Sequence, residues 1–546
     1  MSPEVQSLPP NLVSALADPR GHPGDPDATH GIELVQTHIS HVFLTQGRVY
    51  KLRKAVQLGF LSFATRRERN EDCLREVTLN RRLAPDVYLG VAPVHLEPNP
   101  HVGAVSQTLA PAREDGTLLE HCVVMRRLPA GRDALSLLER RALRPEQIDR
   151  VARRIARFHD RHGLGTPAPF SAREWRERVV QPILDTHREI EDAAGARAPA
   201  LARLRERTAA FLAGHATVLE ERRKNGRAVD GHGDLHLQHV WFETDDAEPL
   251  LIDCIEFRDD LRQIDAASEV AFLYMDLAYR RRRRLAERFL RIYAEARDDF
   301  ALYECVDFFA SYRAAVRAKV AALAACDPDL LPAQRQAAEG SSRRHLALAA
   351  RLLERKAGAL VLVCGGVGTG KSTVAARLGD ELEGAVLASD RLRKRLAGLA
   401  PETRAGSEWG NGLYGSQQRA AVYDRMLERA APVLGSGRAA ILDATFARRS
   451  WRERAADLAR ERGVEALLVE VRCSDDVVME RLWKRTSIGT DASDAGPAVR
   501  RAEAARFEPP EEWPRGRRFV IRTDSPRWRG ELRALAGRLR RAIRDR

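Results

Sequence analysis

Residues 365–373 read GGVGTGKST, and this stretch constrains the fold of the 546-residue chain more than any other. It follows the apolar run Leu360–Cys364 and precedes a helix-forming segment, STVAARLGDEL, at 372–382. A buried strand, a turn of the form G-x-x-x-x-G-K-[ST] and a helix, in that order, indicate a P-loop whose backbone N–H groups surround phosphate oxygens. The sequence therefore predicts an α/β domain with a parallel sheet over 357–546.

The chemistry expected of this P-loop is the binding of ATP with Mg²⁺. Lys371 would contact the β- and γ-phosphates, and the hydroxyl of Ser372 would ligate Mg²⁺. A second apolar run, AAILDAT at 439–445, contains Asp443, whose carboxylate would hold the magnesium shell or act as a base. The residues expected to bind the nucleotide are Gly365, Gly366, Val367, Gly368, Thr369, Gly370, Lys371, Ser372 and Thr373.

This half resembles the small P-loop kinases of the gluconate-kinase, zeta-toxin and polynucleotide-kinase type, which are often grouped with AAA-type ATPases. The resemblance covers about 358–510, and it implies that Asp390, at the end of AVLASD, faces the substrate. In CSDDVVMERLWKRTS, Arg481 and Arg485 lie four positions apart on one helix face. That face either closes over the bound nucleotide as a lid or is an ordinary basic surface.

The first half of the chain carries a second set of candidate residues, which begins with a lysine. Only 8 of the 90 basic residues are lysine, so a lysine marks a position where a compact ammonium is preferred to a guanidinium. Lys51 lies in the predicted strand VYKLRK, and Glu76, 25 residues later in a predicted helix, can orient it through an ion pair. GHGDLHLQHV then places Asp234 where it can align a substrate hydroxyl, and LLIDCIEF places Asp253 where it can hold Mg²⁺.

The segment HGDLH resembles the catalytic loop of the aminoglycoside-phosphotransferase and choline-kinase group. The resemblance implies an α+β protein-kinase-like domain over 31–345, with an N-lobe at 31–127, a C-lobe at 128–345 and a flexible lead-in at 1–30. It gives the four residues just named the catalytic and metal-binding roles. It also makes CVVMRRLPAG, at 122–131, the hinge against which adenine lies.

Two features depart from that group. Its loop reads H-G-D-x-x-x-x-N, but the Asn position here holds His239, and Mg²⁺ prefers oxygen ligands. The segment THISHVFL stands where a glycine-rich loop would lie, so this half either catalyses transfer or is a degenerate, nucleotide-binding kinase fold. Downstream, Glu256, Arg262 and Asp265 either line the substrate cleft or brace the interior of the C-lobe.

The distribution of charge and hydrophobicity bears on partners and location. The net charge is +13, and residues 515–546 alone hold twelve basic and three acidic side chains. Such a tail either binds nucleic acid or acidic lipid, or forms a solvated amphipathic helix. No apolar run approaches the ~18 residues that a membrane span needs, and the first 31 residues lack the pattern of a secretory signal. A cytoplasmic protein without a membrane span is expected, and the sequence does not indicate an oligomeric state.

Three functions fit these motifs. The leading hypothesis is a bifunctional small-molecule kinase that moves the γ-phosphate of ATP to a hydroxyl acceptor and has a second ATP site in the P-loop half. The alternative is a P-loop ATPase switch that regulates a degenerate kinase-like binding domain. A nucleic-acid 5′-hydroxyl kinase is a further alternative, and only the basic tail favours it.

Overall fold

The computed structural model describes two compact units. The first comprises 1–179 and 222–273, and the second comprises 180–221 and 274–546. The helices of the predicted C-lobe after 273 therefore group with the P-loop region rather than with the catalytic loop. The described residues are 5–58, 61–112, 118–194, 199–354, 357–399, 416–488 and 507–544.

The first unit begins with an antiparallel sheet of six strands, in the order β1-β2-β3-β8-β6-β7. Helix α2 packs on this sheet and begins at a capping box, in which Thr65 and Glu68 satisfy each other's backbone N–H groups. The elements are α1 (Leu12–Leu16), β1 (Glu33–Gln36), β2 (Ser40–Leu44), β3 (Arg48–Arg53), β4 (Gln57–Leu58), β5 (Leu61–Ser62), α2 (Arg66–Asn80), β6 (Tyr88–His95), β7 (His101–Val102) and β8 (Glu120–Arg126).

Residues 5–30 are the described part of the segment 1–30, which the sequence predicts as a flexible lead-in, and they pack against this sheet. Leu12 and Leu16 are buried in its hydrophobic core. The carboxylate of Asp25 is buried as well and accepts a hydrogen bond from the Tyr50 hydroxyl at 3.0 Å. The segment is therefore part of the lobe, because its apolar side chains complete the core of the sheet.

The remainder of the first unit is helical, interrupted by a loop region that carries the HGDLH segment. A short 3-10 helix, Leu237–His239, ends that loop, and another spans Asp259–Leu261. The elements are α3 (Ala134–Glu139), α4 (Pro145–Arg161), β9 (Ala228–Asp230), β10 (Val240–Trp241), β11 (Leu250–Leu251) and β12 (Gln263–Asp265). Three helices extend across the division between the units: α5 (Ala172–Ala194), α7 (Ala216–Lys224) and α8 (Ala266–Tyr279).

The second unit contains a parallel sheet of five strands in the order β14-β15-β13-β16-β17, which confirms the predicted α/β fold. The central strand, β13, is fully buried, as its apolar sequence requires. The elements are α6 (Pro199–Gly214), α9 (Arg283–Arg297), α10 (Val306–Ala325), α11 (Pro332–Leu352), β13 (Ala359–Cys364), α12 (Lys371–Leu382), β14 (Ala385–Ala388), α13 (Ser389–Leu396), α14 (Ser416–Gly435), β15 (Ala439–Asp443), α15 (Arg449–Glu461), β16 (Glu465–Arg472), α16 (Asp475–Ile488), β17 (Arg518–Arg522) and α17 (Trp528–Arg544).

The basic C-terminal segment is part of the core of this unit. β17 forms an edge of the sheet, and Leu532, Leu535 and Leu539 of α17 are buried against it. The exposed face of α17 carries Arg529 and Arg533, among other arginines. Nucleic-acid binding by this face stays a prediction, and its test needs charge substitutions, since deleting 515–546 would remove a strand and a core helix.

A buried arginine joins α9 and α10 to the sheet within the second unit. Arg438, which immediately precedes β15, is 3% exposed. It donates to Glu287 at 2.7 Å and to both carboxylate oxygens of Asp307 at 2.8 Å. Its guanidinium also donates to the Tyr274 hydroxyl at 3.0 Å. These bonds fix the strand that ends at Asp443 to helices outside the P-loop region.

Among the described residues, no helix is both long and apolar enough to cross a lipid bilayer.

Candidate active sites

The structure brings together the lysine and two of the carboxylates that the sequence singles out in the first unit. The ammonium of Lys51 on β3 donates to Glu76 of α2 and to Asp253, at 3.0 Å in each case. Glu76 is fully buried, whereas half of the Asp253 carboxylate is exposed. Lys51 lowers the pKa of Asp253 below its usual range. A fixed ammonium beside an ionised carboxylate suits the binding of a phosphate chain and its counter-ion.

Sequence reasoning missed an arginine that organises this cluster from behind. Arg53 follows Lys51 by two positions on β3, so both side chains lie on the same face of the sheet. The fully buried guanidinium of Arg53 donates to Asp72 at 2.7 Å and to both Glu76 and Glu256 at 2.5 Å. Burial raises the pKa of Glu256. The two-residue alternation of side chains in the strand VYKLRK could have indicated that Arg53 lies on the same face as Lys51.

Glu256, Arg262 and Asp265, for which the sequence leaves a cleft role and a bracing role open, each take part in a buried ion pair. Arg262 is 3% exposed and bonds to Asp230, and Asp265 is fully buried. Arg222 donates to the carboxylate of Asp265 at 2.8 Å. The described partner of the Glu256 carboxylate is Arg53. A contact between Glu256 and a substrate stays a prediction.

The loop that carries Asp234 is held by a glutamate that the sequence analysis did not identify. Glu269 of α8 is 1% exposed and accepts the backbone N–H groups of His232 and Gly233 at 2.8 and 3.0 Å. A side chain at Gly231 would lie 2.9 Å from the Glu269 carboxylate. Although burial alone would raise the pKa of Asp234, a hydrogen bond from His236 and the nearby imidazoles hold that pKa below its usual range. Asp234 is therefore ionised, as a residue that aligns a hydroxyl proton must be.

His239 lies between the two aspartates of this site. Its Nδ1 donates to the backbone carbonyl of Asp234 at 2.8 Å, and its Nε2 lies 3.4 Å from Oδ2 of Asp253. Burial lowers the pKa of His239. Asp253 has a φ of 62°, and its backbone N–H donates to the Tyr88 hydroxyl at 3.0 Å, which fixes the direction of its side chain. The carboxylate suits Mg²⁺, but an imidazole nitrogen in the Asn position does not.

The P-loop of the second unit has the backbone that its glycines predict. Gly368 and Gly370 have φ values of 78° and 92°, which other residues rarely adopt. A Cβ at Gly365 would lie 2.3 Å from the carbonyl oxygen of Val471 on β16. The ammonium of Lys371 donates to the carbonyl of Gly366 at 2.8 Å. The lysine therefore lies across the loop, where phosphates can replace the carbonyl.

Ser372 and Asp443 meet beside this lysine. The side chain of Ser372 donates a hydrogen bond to Asp443, which is 5% exposed at the end of β15. Burial raises the pKa of Asp443 to about 6, while Lys371 and Ser372 oppose that shift. A hydroxyl and a carboxylate are oxygen ligands, so these two residues fit Mg²⁺.

The weaker candidates of the second unit have different surroundings. Asp390 lies in the first turn of α13, pairs with Arg393 and is close enough to raise the pKa of Asp443. Arg481 donates to the hydroxyl of Thr523 at 2.9 Å and to its carbonyl at 3.1 Å. Thr523 in turn donates to the P-loop carbonyl of residue 369 at 2.6 Å, so Arg481 is held against the loop. The side chain of Arg485 lies outside the described residues.

A cavity of about 340 Å³ opens beside the P-loop. It is lined by Gly365, Thr445, Arg472, Phe507 and Arg522, among other residues at the carboxyl ends of the strands. Ligands of open α/β sheets bind at this edge. The cavity therefore lies where a nucleotide or an acceptor is expected.

Two regions of the chain match known families. Residues 47–309 match the phosphotransferase enzyme family, and residues 360–510 match the AAA domain. Rv2004c of Mycobacterium tuberculosis and Mb2027c of Mycobacterium bovis, both described as uncharacterized, are each 32% identical over 506 residues, which is 91% of this chain and 93% of theirs. The chain belongs to the family of these mycobacterial proteins. This chain joins a phosphotransferase domain to a P-loop kinase-like domain, so the predicted family and enzyme class are confirmed.

Two solved kinase structures are each similar to a part of this chain. A gluconokinase from Sinorhizobium meliloti 1021 covers 35% of this chain and 97% of its own, with 20% identity and a TM-score of 0.25. A choline kinase from Cryptosporidium parvum Iowa II covers 62% of this chain and 94% of its own, with 12% identity and a TM-score of 0.36. The kinase-like and P-loop families use ATP, usually with Mg²⁺.

Proposed function

We propose that the chain is an ATP-dependent small-molecule kinase with two nucleotide sites, one in each matched region. The observation that carries the proposal is the convergence on Lys51 of Glu76 and Asp253, the latter 202 positions away, with both contacts at 3.0 Å. A coincidental ion pair would join Lys51 to one carboxylate, whereas here carboxylates from two separate segments of the chain contact the same ammonium. The P-loop, with Lys371 beside Asp443, supports the second site.

In the first site the residues act by position and charge. When a nucleotide binds, its phosphates would take the place of Asp253 on the ammonium of Lys51, while Glu76 keeps that ammonium oriented. The ionised Asp234 would accept a hydrogen bond from the acceptor hydroxyl and direct its oxygen at the γ-phosphorus. Because phosphoryl transfer needs little covalent help from the protein, positioning and charge neutralisation account for most of the rate.

In the second site the P-loop N–H groups would hold the phosphates, and Lys371 would turn from the Gly366 carbonyl to the γ-phosphate. Mg²⁺, held by Ser372 and Asp443, supplies neutralisation of phosphate charge when bound. Arg481, which is already held against the loop, would close over the nucleotide. Asp390 would face the acceptor from the neighbouring strand end, since β14 and β15 are adjacent.

The test is a search for phosphorylated products. Purified protein is incubated with ATP and a small-metabolite extract, and new phosphorylated masses are recorded for wild type, Asp234→Asn and Lys371→Ala. A product that one variant alone fails to make assigns a transfer reaction to that half and identifies its acceptor. ATP consumption by the wild type without any phosphorylated product would refute the kinase proposal.

A second candidate function is an ATPase switch, and one observation favours it. Arg438 joins the strand that ends at Asp443 to α9 and α10 through buried ion pairs. Arg395 of α13 also donates to the last carbonyls of α9, at 3.0 and 2.9 Å. A change at the P-loop can therefore move helices outside it. Release of ADP and phosphate that Lys371→Ala alone abolishes, with no product formed, would favour this function.

A further inference from the structure

We infer that the first nucleotide site takes a first-row transition-metal dication, bound through Nε2 of His239 and the carboxylate of Asp253, in preference to Mg²⁺. The inference rests on the proposed function of this site, because the remaining ligands of such an ion would be phosphate oxygens and water. It deepens that proposal by naming the class of cation.

The hydrogen bonds of His239 determine which of its nitrogens can bind a cation. The backbone carbonyl of Asp234 only accepts, so the Nδ1 at 2.8 Å from it carries the proton. Nε2 of the neutral ring then presents a lone pair. A ring N–H held by a backbone carbonyl, with the opposite nitrogen free to bind, is the usual arrangement of a metal-ligating histidine.

The lone pair of His239 is directed at another acceptor. Its Nε2 lies 3.4 Å from Oδ2 of Asp253, while Oδ1 of that carboxylate is bound by Lys51 at 3.0 Å. Two atoms that each offer a lone pair repel each other unless a cation lies between them. Two ligand atoms at ~2.0–2.1 Å from one ion are about 2.8–3.0 Å apart at an octahedral angle and about 3.3–3.4 Å apart at a tetrahedral angle. The observed separation of 3.4 Å therefore fits an ion that the two atoms share at a tetrahedral angle.

The neighbouring His236 has the opposite arrangement and provides a control. Its Nδ1 accepts the backbone N–H of Gln238 at 3.3 Å, so the proton of the neutral ring is on Nε2, 3.5 Å from the Asp234 carboxylate. The rings of His236 and His239 lie 3.8 Å apart. His236 therefore orients Asp234 and offers no lone pair to Asp253, although both rings occupy the same cluster.

The nature of the ligand decides the class of ion. Mg²⁺ prefers oxygen and sheds water reluctantly, whereas imidazole suits first-row transition ions, with affinities that rise from Mn²⁺ towards Cu²⁺. Replacing the Asn of the family loop by His239 therefore shifts the preference of the site away from Mg²⁺. In the second unit, Ser372 and Asp443 offer oxygen ligands that fit Mg²⁺. The two sites therefore differ in the metal ion that each prefers.

The experiment uses Mn²⁺ as a paramagnetic probe in the full chain. Lys371→Ala removes nucleotide binding at the P-loop, and the protein is labelled with ¹⁵N-histidine so that its nitrogens are distinguished from those of ADP. Electron spin-echo modulation of the Mn²⁺–ADP complex is expected to contain a directly coordinated ¹⁵N coupling. His239→Asn should lose that coupling, and His236→Asn should keep it.

Competition with Mg²⁺ gives a second readout. Displacing Mn²⁺ should take about tenfold more Mg²⁺ in the chain that retains His239 than in His239→Asn. A spectrum of the Lys371→Ala chain that shows no histidine nitrogen coupling, or equal competition with and without His239, would overturn the inference. Neither readout needs an acceptor. If the product search described above refutes the kinase proposal, a histidine coupling would still support the metal assignment, so the two failures are distinguishable.

Discussion

Removing the guanidinium of Arg53 should unfold the first unit at much lower denaturant. The side chain is fully buried and donates to the carboxylates of Asp72, Glu76 and Glu256 at 2.5–2.7 Å. In Arg53→Met three carboxylates would remain in the interior without their shared cation. Breaking a buried ion pair from one side costs about 3–5 kcal/mol. Glu256, whose pKa burial already raises, would take up a proton and limit the loss to that range rather than a multiple of it.

The assay is a urea titration of the full chain, followed by hydrogen-exchange mass spectrometry of peptides from 40–80. With an m-value of about 2 kcal/mol per M, the midpoint for these peptides should fall by about 1.5–2.5 M. The matched control is Arg67→Met, which removes an exposed pair with Glu71 on α2 and should cost less than about 1 kcal/mol. A midpoint for Arg53→Met as close to wild type as that of the control would refute the reasoning.

Three further predictions test other parts of the structure. Because burial raises the pKa of Asp443 from 3.8 to about 6, the metal-free protein loses about 3 kcal/mol of stability as the pH rises through that interval. Asp443→Asn should therefore resist urea better than wild type at about pH 8 and equally well below about pH 4. Urea unfolding curves that coincide at both pH values would contradict this. Glu269→Gln should lower the turnover of the first site about 10- to 100-fold with unchanged nucleotide affinity, because Glu269 positions the Asp234 loop without touching ATP; a nucleotide titration beside the product assay checks it. Gly365→Ala should weaken ATP binding at the P-loop at least about tenfold in calorimetry, since its Cβ would lie 2.3 Å from a carbonyl oxygen of β16. The control Gly366→Ala should bind ATP normally, because the nearest atom to its Cβ would be 3.8 Å away.

The sequence predicted those parts of the site that depend on local order along the chain. The P-loop, the strand with Lys51 and the capped helix with Glu76 each have a motif or a periodicity that a short segment determines. The parallel sheet followed from one apolar strand, its glycine turn and the helix after it. Family membership followed from the same segments.

Residues that act through distant contacts could not be predicted in this way. Arg53 contacts Glu256 from 203 positions away, and Arg438 contacts Glu287 from 151 positions away. In a chain in which 82 of 90 basic residues are arginine, the residue type does not distinguish a buried arginine from an exposed one. The alternation of the strand indicates the face on which Arg53 lies, but it does not identify the distant carboxylates that Arg53 contacts. Glu269 was hidden for a related reason, since a glutamate in the first turn of a helix usually lies at the surface. The position of His239 was predicted, but the direction of its lone pair depends on backbone geometry.

The division between the units also differs from the boundary that the motifs suggest. Motifs identify the segments that carry candidate site residues, which begin at Lys51 and at Gly365. They do not indicate how the helices between these segments pack. The buried bonds of Arg438 place α9 and α10 with the P-loop sheet, although the phosphotransferase match extends to residue 309. A P-loop fragment cut near 357 would lose these partners.

The central claim is that one chain holds two nucleotide sites, and the stoichiometry of bound ATP tests it most directly. Equilibrium dialysis with a non-hydrolysable ATP analogue, in the presence of Mg²⁺ and Mn²⁺, should give two molecules per wild-type chain. It should give one for Lys51→Met and one for Lys371→Ala, because each substitution removes the ammonium of a single site. One molecule per wild-type chain, absent in Lys371→Ala and unchanged in Lys51→Met, would contradict the account.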